Sequence, residues 1–257
     1  MSSSPNDPGN APASDLEIVV AHQARATLRV GDVFLKIDSE QGNIDAEVEA
    51  IELAPVPTPT ILWQKPNVLA LARVPGTALG RLGEPSPAPA SAWAAVGAVV
   101  RRLHEAPMPA RQGASLVDVA ARLDGECEAL TRTDLLSPEV LARGGEIARG
   151  ALRSSRPVFM HGDLQLDHVF VDGDQVTGII DWSAAGRGDA LFDLATLTIG
   201  HEEHLDDVLA GYGGGVDRDR VRAWWAVRSL LGIRWLAEHG FDPAAPGAEI
   251  DVLKSLA

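Results

Sequence analysis

Side chains that can bind a cation or move a proton flank both ends of a predicted hairpin at residues 159–182. The sequence of this segment is FMHGDLQLDHVFVDGDQVTGIIDW. His161, Asp163 and His168 precede the apolar run VFV, and Asp181 follows the run QVTGII. Carboxylate and imidazole groups can hold a metal ion or act as a general base, so this segment is the first candidate for a functional site.

The hairpin explains how groups that are distant in sequence could meet. The Asp-Gly pair in VFVDGDQVTGII predicts a tight turn between antiparallel strands. His168, just before the first strand, and Asp181, just after the second, would then lie side by side at the open end. Asp163 precedes His168 by five residues, in a loop that can curl toward the same space. A carboxylate on a cation beside a second, uncoordinated carboxylate is the arrangement that phosphoryl transfer requires.

The same residues resemble the catalytic signature of the aminoglycoside phosphotransferase and choline kinase family, whose members are relatives of the protein kinases. This chain carries the signature as HGDLQLDH and IIDW, and the resemblance is strongest from Val158 to Leu197. It extends more weakly over the chain after residue 15. It implies a cytoplasmic enzyme that transfers phosphate from ATP or GTP, with Mg²⁺, to a hydroxyl of a small molecule, most typically an antibiotic of the aminoglycoside, macrolide or nucleoside type.

The resemblance also implies a role for each matching residue. Asp163 would be the catalytic base, and Asp181 and His168 would bind the metal. Lys36 would reach the nucleotide phosphates. Glu47, or Glu49 as the alternative, would pair with Lys36. The backbone of Ala72, Arg73 and Val74 would hold the nucleotide base. The loop would be stabilised by His161, Gly162 and Asp193, with Asp189 as a further candidate.

Two features depart from the family pattern. His168 stands where the family usually has Asn, and imidazole nitrogen is a poorer ligand than oxygen for Mg²⁺. The macrolide phosphotransferases are similar in carrying His there and tend to use GTP, so the resemblance raises GTP as the donor. The segment AHQARAT, at the first turn of the predicted small sheet, lacks the glycines of a kinase phosphate loop.

The composition excludes some classes of function. With 36 acidic and 22 basic residues, the chain carries a net charge of −14, which disfavours nucleic acid and anionic membranes as partners. The same charge suits a basic acceptor such as an aminoglycoside. One cysteine excludes an internal disulfide and a cysteine zinc site. No signal peptide or membrane span is evident, which indicates a cytoplasmic protein.

The hydrophobic pattern predicts an α+β chain of two lobes, and the resemblance implies that its fold is the bilobal, protein-kinase-like fold. Residues 1–15 are expected to be disordered, because they are rich in Ser, Pro, Gly and Asn. Residues 16–73 predict a small β-rich lobe with one inserted helix, and the resemblance implies that this lobe binds the nucleotide. Residues 74–257 predict a larger, mainly helical lobe with the hairpin, which the resemblance implies to be catalytic and to carry the acceptor site. Ser91 is expected to cap the first large helix of that lobe.

Other interpretations of the same residues stay open. A metabolic kinase acting on choline, a sugar or an amino alcohol would show the same signature. A metal hydrolase could use His161, Asp163 and His168 as ligands of a transition metal. A nucleotide-binding module without activity is a further alternative. Taken singly, Lys36 is typical of an exposed strand edge and Glu47 of a solvated helix face.

Overall fold

The structure is a computed structural model that describes residues 16–21, 24–81 and 83–256. The predicted disordered segment 1–15 lies outside the described residues. Chain contacts divide the protein into two compact units. The first contains the chain up to Ile44 together with Thr60–Arg73, and the second contains Asp45–Pro59 and the chain from Val74 onward. The segment 45–59, placed by the sequence within the small lobe, groups with the second unit.

The first unit is built on an antiparallel sheet. Its strands are β1 (Leu16–Ala21), β2 (Arg25–Val30), β3 (Val33–Asp38), β4 (Ile61–Lys65) and β5 (Val68–Ala72), in the order β1-β2-β3-β5-β4. Gly31, at φ +59°, turns the chain between β2 and β3, as the Gly-Asp pair predicts. Leu69, Ala70 and Leu71 of β5 are buried, so β5 supplies the apolar centre of this sheet.

Helix α1 follows β3 and continues into the second unit. It spans Gln41–Leu53, and Ile44, Ala50 and Ile51 are buried at helical spacing. The proline-rich segment PVPTPT ends it, because proline cannot donate the backbone hydrogen bond that a helix needs.

The second unit is mainly helical. Its remaining helices are α2 (Ala90–His104), α3 (Leu116–Leu130), α4 (Pro138–Ala151), α5 (Ala190–Thr198), α6 (Leu205–Tyr212), α7 (Arg218–Glu238) and α8 (Glu249–Leu256). Helix α7 packs against α3, α4, α5 and α8, and α2 packs against α6. None of the helices that the described residues form is long and apolar enough to cross a membrane.

Short strands inside the second unit carry the candidate site. Strands β6 (Thr77–Ala78), β8 (Val169–Asp172) and β9 (Gln175–Ile179) form one antiparallel sheet in the order β6-β8-β9. Strands β7 (Val158–Met160) and β10 (Gly186–Gly188) form an antiparallel pair. The hairpin of β8 and β9 confirms the predicted strand–turn–strand pattern.

One local prediction is wrong. Ser91 does not cap α2, because the helix already begins at Ala90 after the extended residue Pro89, with no side-chain cap. The structure also contains helix α8, which the sequence pattern did not predict. Ile250, Val252 and Leu253 of α8 are buried. A segment this short gains most of its stability from packing against α7, which a local pattern does not report.

Candidate active site

The hairpin brings His168 and Asp181 together. Val169 lies opposite Ile179, and the Ile180 N–H donates to the His168 carbonyl at 2.9 Å, which extends the ladder by one residue. His168 Nε2 consequently lies 4.0 Å from Asp181 Oδ2. This is the relationship that the antiparallel pattern predicts for residues at the open end.

Asp181 has an unusual backbone conformation. Its φ of 61° and ψ of 64° are in the left-handed region, which costs a residue other than glycine about 1 kcal/mol and is tolerated best by Asp and Asn. The Ser183 hydroxyl donates to Asp181 Oδ1 at 2.9 Å. The conformation redirects the chain immediately after β9, so that the Asp181 carboxylate faces His168 rather than continuing the strand.

The loop between β7 and β8 depends on Gly162. Its φ is +84°, and a Cβ at this position would lie 2.4 Å from the Ala184 carbonyl oxygen. Only glycine fits this combination of positive φ and close backbone contact. The tight turn that the resemblance implied at Gly162 therefore has a steric cause in the segment that follows Asp181.

Asp163 lies between a donor, an imidazole and a guanidinium. Gln165 Nε2 donates to Asp163 Oδ1 at 2.8 Å. His168 Nδ1 lies 3.8 Å from Asp163 Oδ2, and Arg228 Nη2 lies 3.8 Å from Oδ1. About a third of the Asp163 side chain is exposed (33%), so it is accessible to a bound molecule.

The hydrogen bonds of His168 indicate its tautomer. Nδ1 donates to the Asp163 carbonyl oxygen at 2.8 Å, because a carbonyl can only accept. In the neutral ring, Nε2 then carries the lone pair, on the side that faces the Asp181 carboxylate. The His168 Nε2 lone pair and the Asp181 carboxylate could therefore both bind the same cation.

Asp193 clamps the start of this loop. It is fully buried on α5, and it accepts hydrogen bonds from the backbone N–H groups of His161, at 2.7 Å, and Gly162, at 2.9 Å. His104 Nε2 lies 3.1 Å from the same carboxylate and donates to it. The Tyr212 hydroxyl lies 2.9 Å from His104 Nδ1, and burial raises the pKa of Tyr212, which keeps this hydroxyl a donor. A buried chain of donors therefore holds the loop in place.

His161 is a structural histidine in this arrangement. Its Nε2 donates to the Ile180 carbonyl at 3.0 Å, and its Nδ1 accepts from the Asp163 N–H at 3.2 Å. Burial lowers the pKa of His161, which favours the neutral ring that these two bonds require. Trp182 packs edge-on against it with 4.7 Å between ring centres. Because both nitrogens are engaged, the arrangement leaves His161 no atom with which to bind a metal.

The proposed nucleotide residues are distributed between the two units. Lys36 lies on β3 opposite Leu69 of β5, and Ala72 and Arg73 end β5 and follow it, all in the first unit. The buried residues Glu47 and Val74 belong to the second unit.

The two candidate partners for Lys36 have different surroundings. Glu47 is only 2% exposed, so the solvated helix face is not its environment. Glu49 Oε1 accepts from the Ala110 N–H at 3.0 Å. Asp189, the further candidate for stabilising the loop, caps α5 and forms a salt bridge with Arg220.

A cavity of about 710 Å³ opens beside Asp163, within the second unit. Its wall includes Gly162, Asp163 and Gln165 from the loop and Trp224, Arg228 and Trp235 from α7. The volume is in the range of small-molecule sites. Among residues 16–21, 24–81 and 83–256, no cluster of three or more His, Cys, Asp or Glu side chains could hold a metal ion by itself.

Several residues of this site were not singled out by the sequence. Gln165 and Arg228 contact Asp163, and the Tyr212 hydroxyl contacts His104, which in turn donates to Asp193. A polar side chain at a helix position such as Arg228 gives no local signal, because its contact with Asp163 depends on how α7 packs across the unit.

Comparison with known proteins identifies the family. The sequence model of the phosphotransferase enzyme family (APH) matches residues 24–224. The chain belongs to this family. A streptomycin 3''-kinase from Streptomyces griseus is 36% identical over 160 residues, which cover 55% of this chain and 58% of that kinase.

Similarity to two solved structures shows that this chain has a kinase-like fold. A choline/ethanolamine kinase family protein from Mesorhizobium loti is 21% identical, with a TM-score of 0.71 over 96% of this chain and 89% of that chain. The macrolide 2'-phosphotransferase MphH from Brachybacterium faecium is 19% identical, with a TM-score of 0.62 over 93% and 91% of the two chains. The predicted α+β, protein-kinase-like fold is confirmed.

Proposed function

We propose that this phosphotransferase transfers the γ-phosphoryl group of a nucleoside triphosphate to a hydroxyl of a small molecule, and that this molecule is an antibiotic. The observation that carries the proposal is the convergence of Asp163, His168 and Asp181 beside a cavity of about 710 Å³. Family membership supports the reaction class, and the streptomycin kinase supports the acceptor class.

In the proposed reaction, Asp163 accepts the proton of the acceptor hydroxyl. The oxygen of that hydroxyl forms a bond to the γ-phosphorus, the bond to the bridging oxygen breaks, and a nucleoside diphosphate leaves. Gln165 fixes the orientation of Asp163 through their 2.8 Å hydrogen bond. The chain contributes chiefly the position of the reacting groups, which is the main source of catalysis in phosphoryl transfer.

His168 and Asp181 fit a shared divalent cation. His168 Nε2 and Asp181 Oδ2 are 4.0 Å apart, and these are the two protein atoms that would hold Mg²⁺. Two protein ligands suffice for Mg²⁺ at such a site, because phosphate oxygens and waters complete the shell. When bound, Mg²⁺ neutralises charge on the phosphates. We assign its binding to these two side chains.

The remaining assignments complete the proposal. Lys36 contacts the phosphates, Glu47 orients Lys36, and the backbone of Ala72, Arg73 and Val74 holds the nucleotide base. Glu49 is the weaker candidate, because its carboxylate already accepts from the Ala110 N–H. The donor is ATP or GTP, and because these nucleotides are held inside the cell, the proposal places the reaction in the cytoplasm.

A donor-by-acceptor screen tests this function. The full chain is incubated with Mg²⁺ and either ATP or GTP against aminoglycosides, macrolides, nucleoside antibiotics and choline, and products are detected by the mass gain of one phosphoryl group. We expect transfer to at least one antibiotic. Transfer to choline alone would replace the antibiotic by a metabolic acceptor. Tightly bound zinc without nucleotide binding would favour the hydrolase and contradict the proposal.

A further inference from the structure

The charge of the cavity wall differs from the charge of the whole chain. The chain carries −14, but the cavity is lined by as many arginines (Arg111, Arg122, Arg228) as acids (Asp163, Asp189, Glu249). Which of these six groups can present charge to a bound molecule depends on their contacts.

Two of the three acids are already neutralised or buried. Asp189 forms a salt bridge with Arg220 and caps helix α5. Glu249 is only 8% exposed, and its Oε2 has no hydrogen-bond partner among the described residues. Burial raises the pKa of Glu249, which favours its uncharged form. Asp163 is left to present negative charge, and it must face the reacting hydroxyl.

Two of the three arginines have no carboxylate at salt-bridge distance among the described residues. Arg111 donates to the Ser183 carbonyl, which is a neutral group, and Arg122 is exposed. The third, Arg228, pairs with the proposed base, because its Nη2 lies 3.8 Å from Asp163 Oδ1. An ammonium group placed near Asp163 would therefore also meet the Arg228 guanidinium.

The same wall offers an aromatic surface and a buried donor. Trp235 is 49% exposed, although His239 stacks on its ring with 4.1 Å between ring centres and Phe241 lies nearly parallel to it at 6.2 Å. Trp224 Nε1 is buried without a hydrogen-bond partner among the described residues. The exposed part of the Trp235 indole suits contact with a flat ring, and an unpartnered N–H suits an acceptor oxygen rather than an ammonium group.

We propose that the acceptor of this phosphotransferase is an alcohol with a flat aromatic ring and an anionic group, bound by Arg228 and the Trp235 face, and that polycations are disfavoured. This inference rests on the proposed function and narrows its substrate class. A guanidinium binds a carboxylate through two parallel hydrogen bonds, which gives orientation as well as affinity. The net negative charge, which suggested a basic acceptor, then comes from residues outside this cavity.

Three matched probes test the charge preference. They are 3-(hydroxymethyl)benzoate, 3-(hydroxymethyl)benzamide and 3-(hydroxymethyl)benzylammonium, which share a ring and a hydroxyl and differ in charge. Their dissociation constants are measured by calorimetry on the full chain with Mg²⁺ and a non-hydrolysable ATP analogue. We expect the benzoate to bind about tenfold more tightly than the ammonium probe, with the amide between them.

Variants with a reversed charge test whether the cavity causes the preference for the anionic probe. Arg228→Glu should remove or reverse the order of the three probes. Arg218→Glu makes the same change of charge on the same helix at a residue that pairs with Asp206 and does not line the cavity, and it should preserve the order. Equal or tighter binding of the ammonium probe, an unchanged order in Arg228→Glu, or no binding of any probe would overturn the inference.

The outcomes for the function and for the acceptor class are separable. If the analogue does not bind but the probes keep their order, the phosphotransferase proposal fails and the charge preference stands. If streptomycin is phosphorylated with a higher kcat/KM than 3-(hydroxymethyl)benzoate, the function stands and the charge preference fails.

Discussion

The His161 backbone N–H donates a 2.7 Å hydrogen bond to Asp193 Oδ2, although the two residues are 32 positions apart. The other oxygen of Asp193 accepts from Gly162, so a single buried carboxylate fixes two successive peptide groups. Asp163 follows directly. The position of the proposed base is therefore set by a residue on helix α5 that has no contact with a reacting group.

Asp193→Asn should lower the free energy of unfolding by about 3 kcal/mol, because it replaces an acceptor of three hydrogen bonds by an amide that can satisfy fewer of them. Urea denaturation measures the loss. Asp174→Asn, in the exposed hairpin turn, is the matched control and should change stability by less than about 0.5 kcal/mol. Equal effects of the two variants would contradict the role of Asp193 in holding the loop.

Asp163→Asn should lower kcat by about 10²–10⁴-fold and leave the melting temperature nearly unchanged, because the amide keeps the shape of the side chain but cannot accept the proton. Steady-state kinetics on an acceptor found in the screen measure kcat and KM separately. A variant that keeps the wild-type kcat would remove Asp163 from the role of base.

Gly162→Ala should destabilise the protein by about 2 kcal/mol or more, because φ is +84° and the new Cβ would meet the Ala184 carbonyl oxygen at 2.4 Å. Gly150→Ala is the control, since Gly150 lies in helix α4 with no atom within 4 Å of an added Cβ. Alanine there should stabilise the helix by about 0.5–1 kcal/mol. Thermal denaturation of both variants gives the comparison.

Asp181→Asn should raise the Mg²⁺ concentration needed for half-maximal activity by about tenfold or more, since it removes one negative charge from the proposed metal site. A Mg²⁺ titration at saturating nucleotide measures this shift. Asp172→Asn, at the far end of the same hairpin, should leave the titration unchanged. If the two variants titrate alike, Asp181 is not a metal ligand.

His161 should make the stability of the protein depend on pH. Burial lowers the pKa of His161 in the folded state below its usual value of about 6.5. The unfolded chain therefore binds the proton more readily, and the contribution of the neutral ring is full above about pH 6.5 and is lost as the pH falls from there toward the folded pKa. The fall in unfolding free energy between about pH 7 and pH 5 should be smaller in His161→Gln than in the wild type. An equal fall in the two proteins would contradict this contribution of His161.

Much of the fold was accessible from local patterns. Alternation of apolar residues located the strands from β1 to β5, and helical spacing located helices α1 to α7 within a few residues. Helix α8 and the two-residue strand β6 were missed, because they are short and form only against neighbours that are distant in sequence.

The sequence by itself placed residues 168 and 181 at the same end of the hairpin, in the proposed reaction centre, because the Asp-Gly turn makes the two strands antiparallel. Their approach also depends on a register shift between Phe170 and Val171, which pairs His168 with Ile180, and on the left-handed backbone of Asp181. A short loop then keeps Asp163 close to them. Tertiary structure alone decided what surrounds that centre. Arg228 and Trp235 lie on helix α7, 47 and 54 residues after Asp181, and their contacts depend on how α7 packs rather than on any local spacing. The residues proposed to carry out the reaction therefore lie in one continuous segment, whereas the choice of acceptor depends on how the helices of the second unit pack.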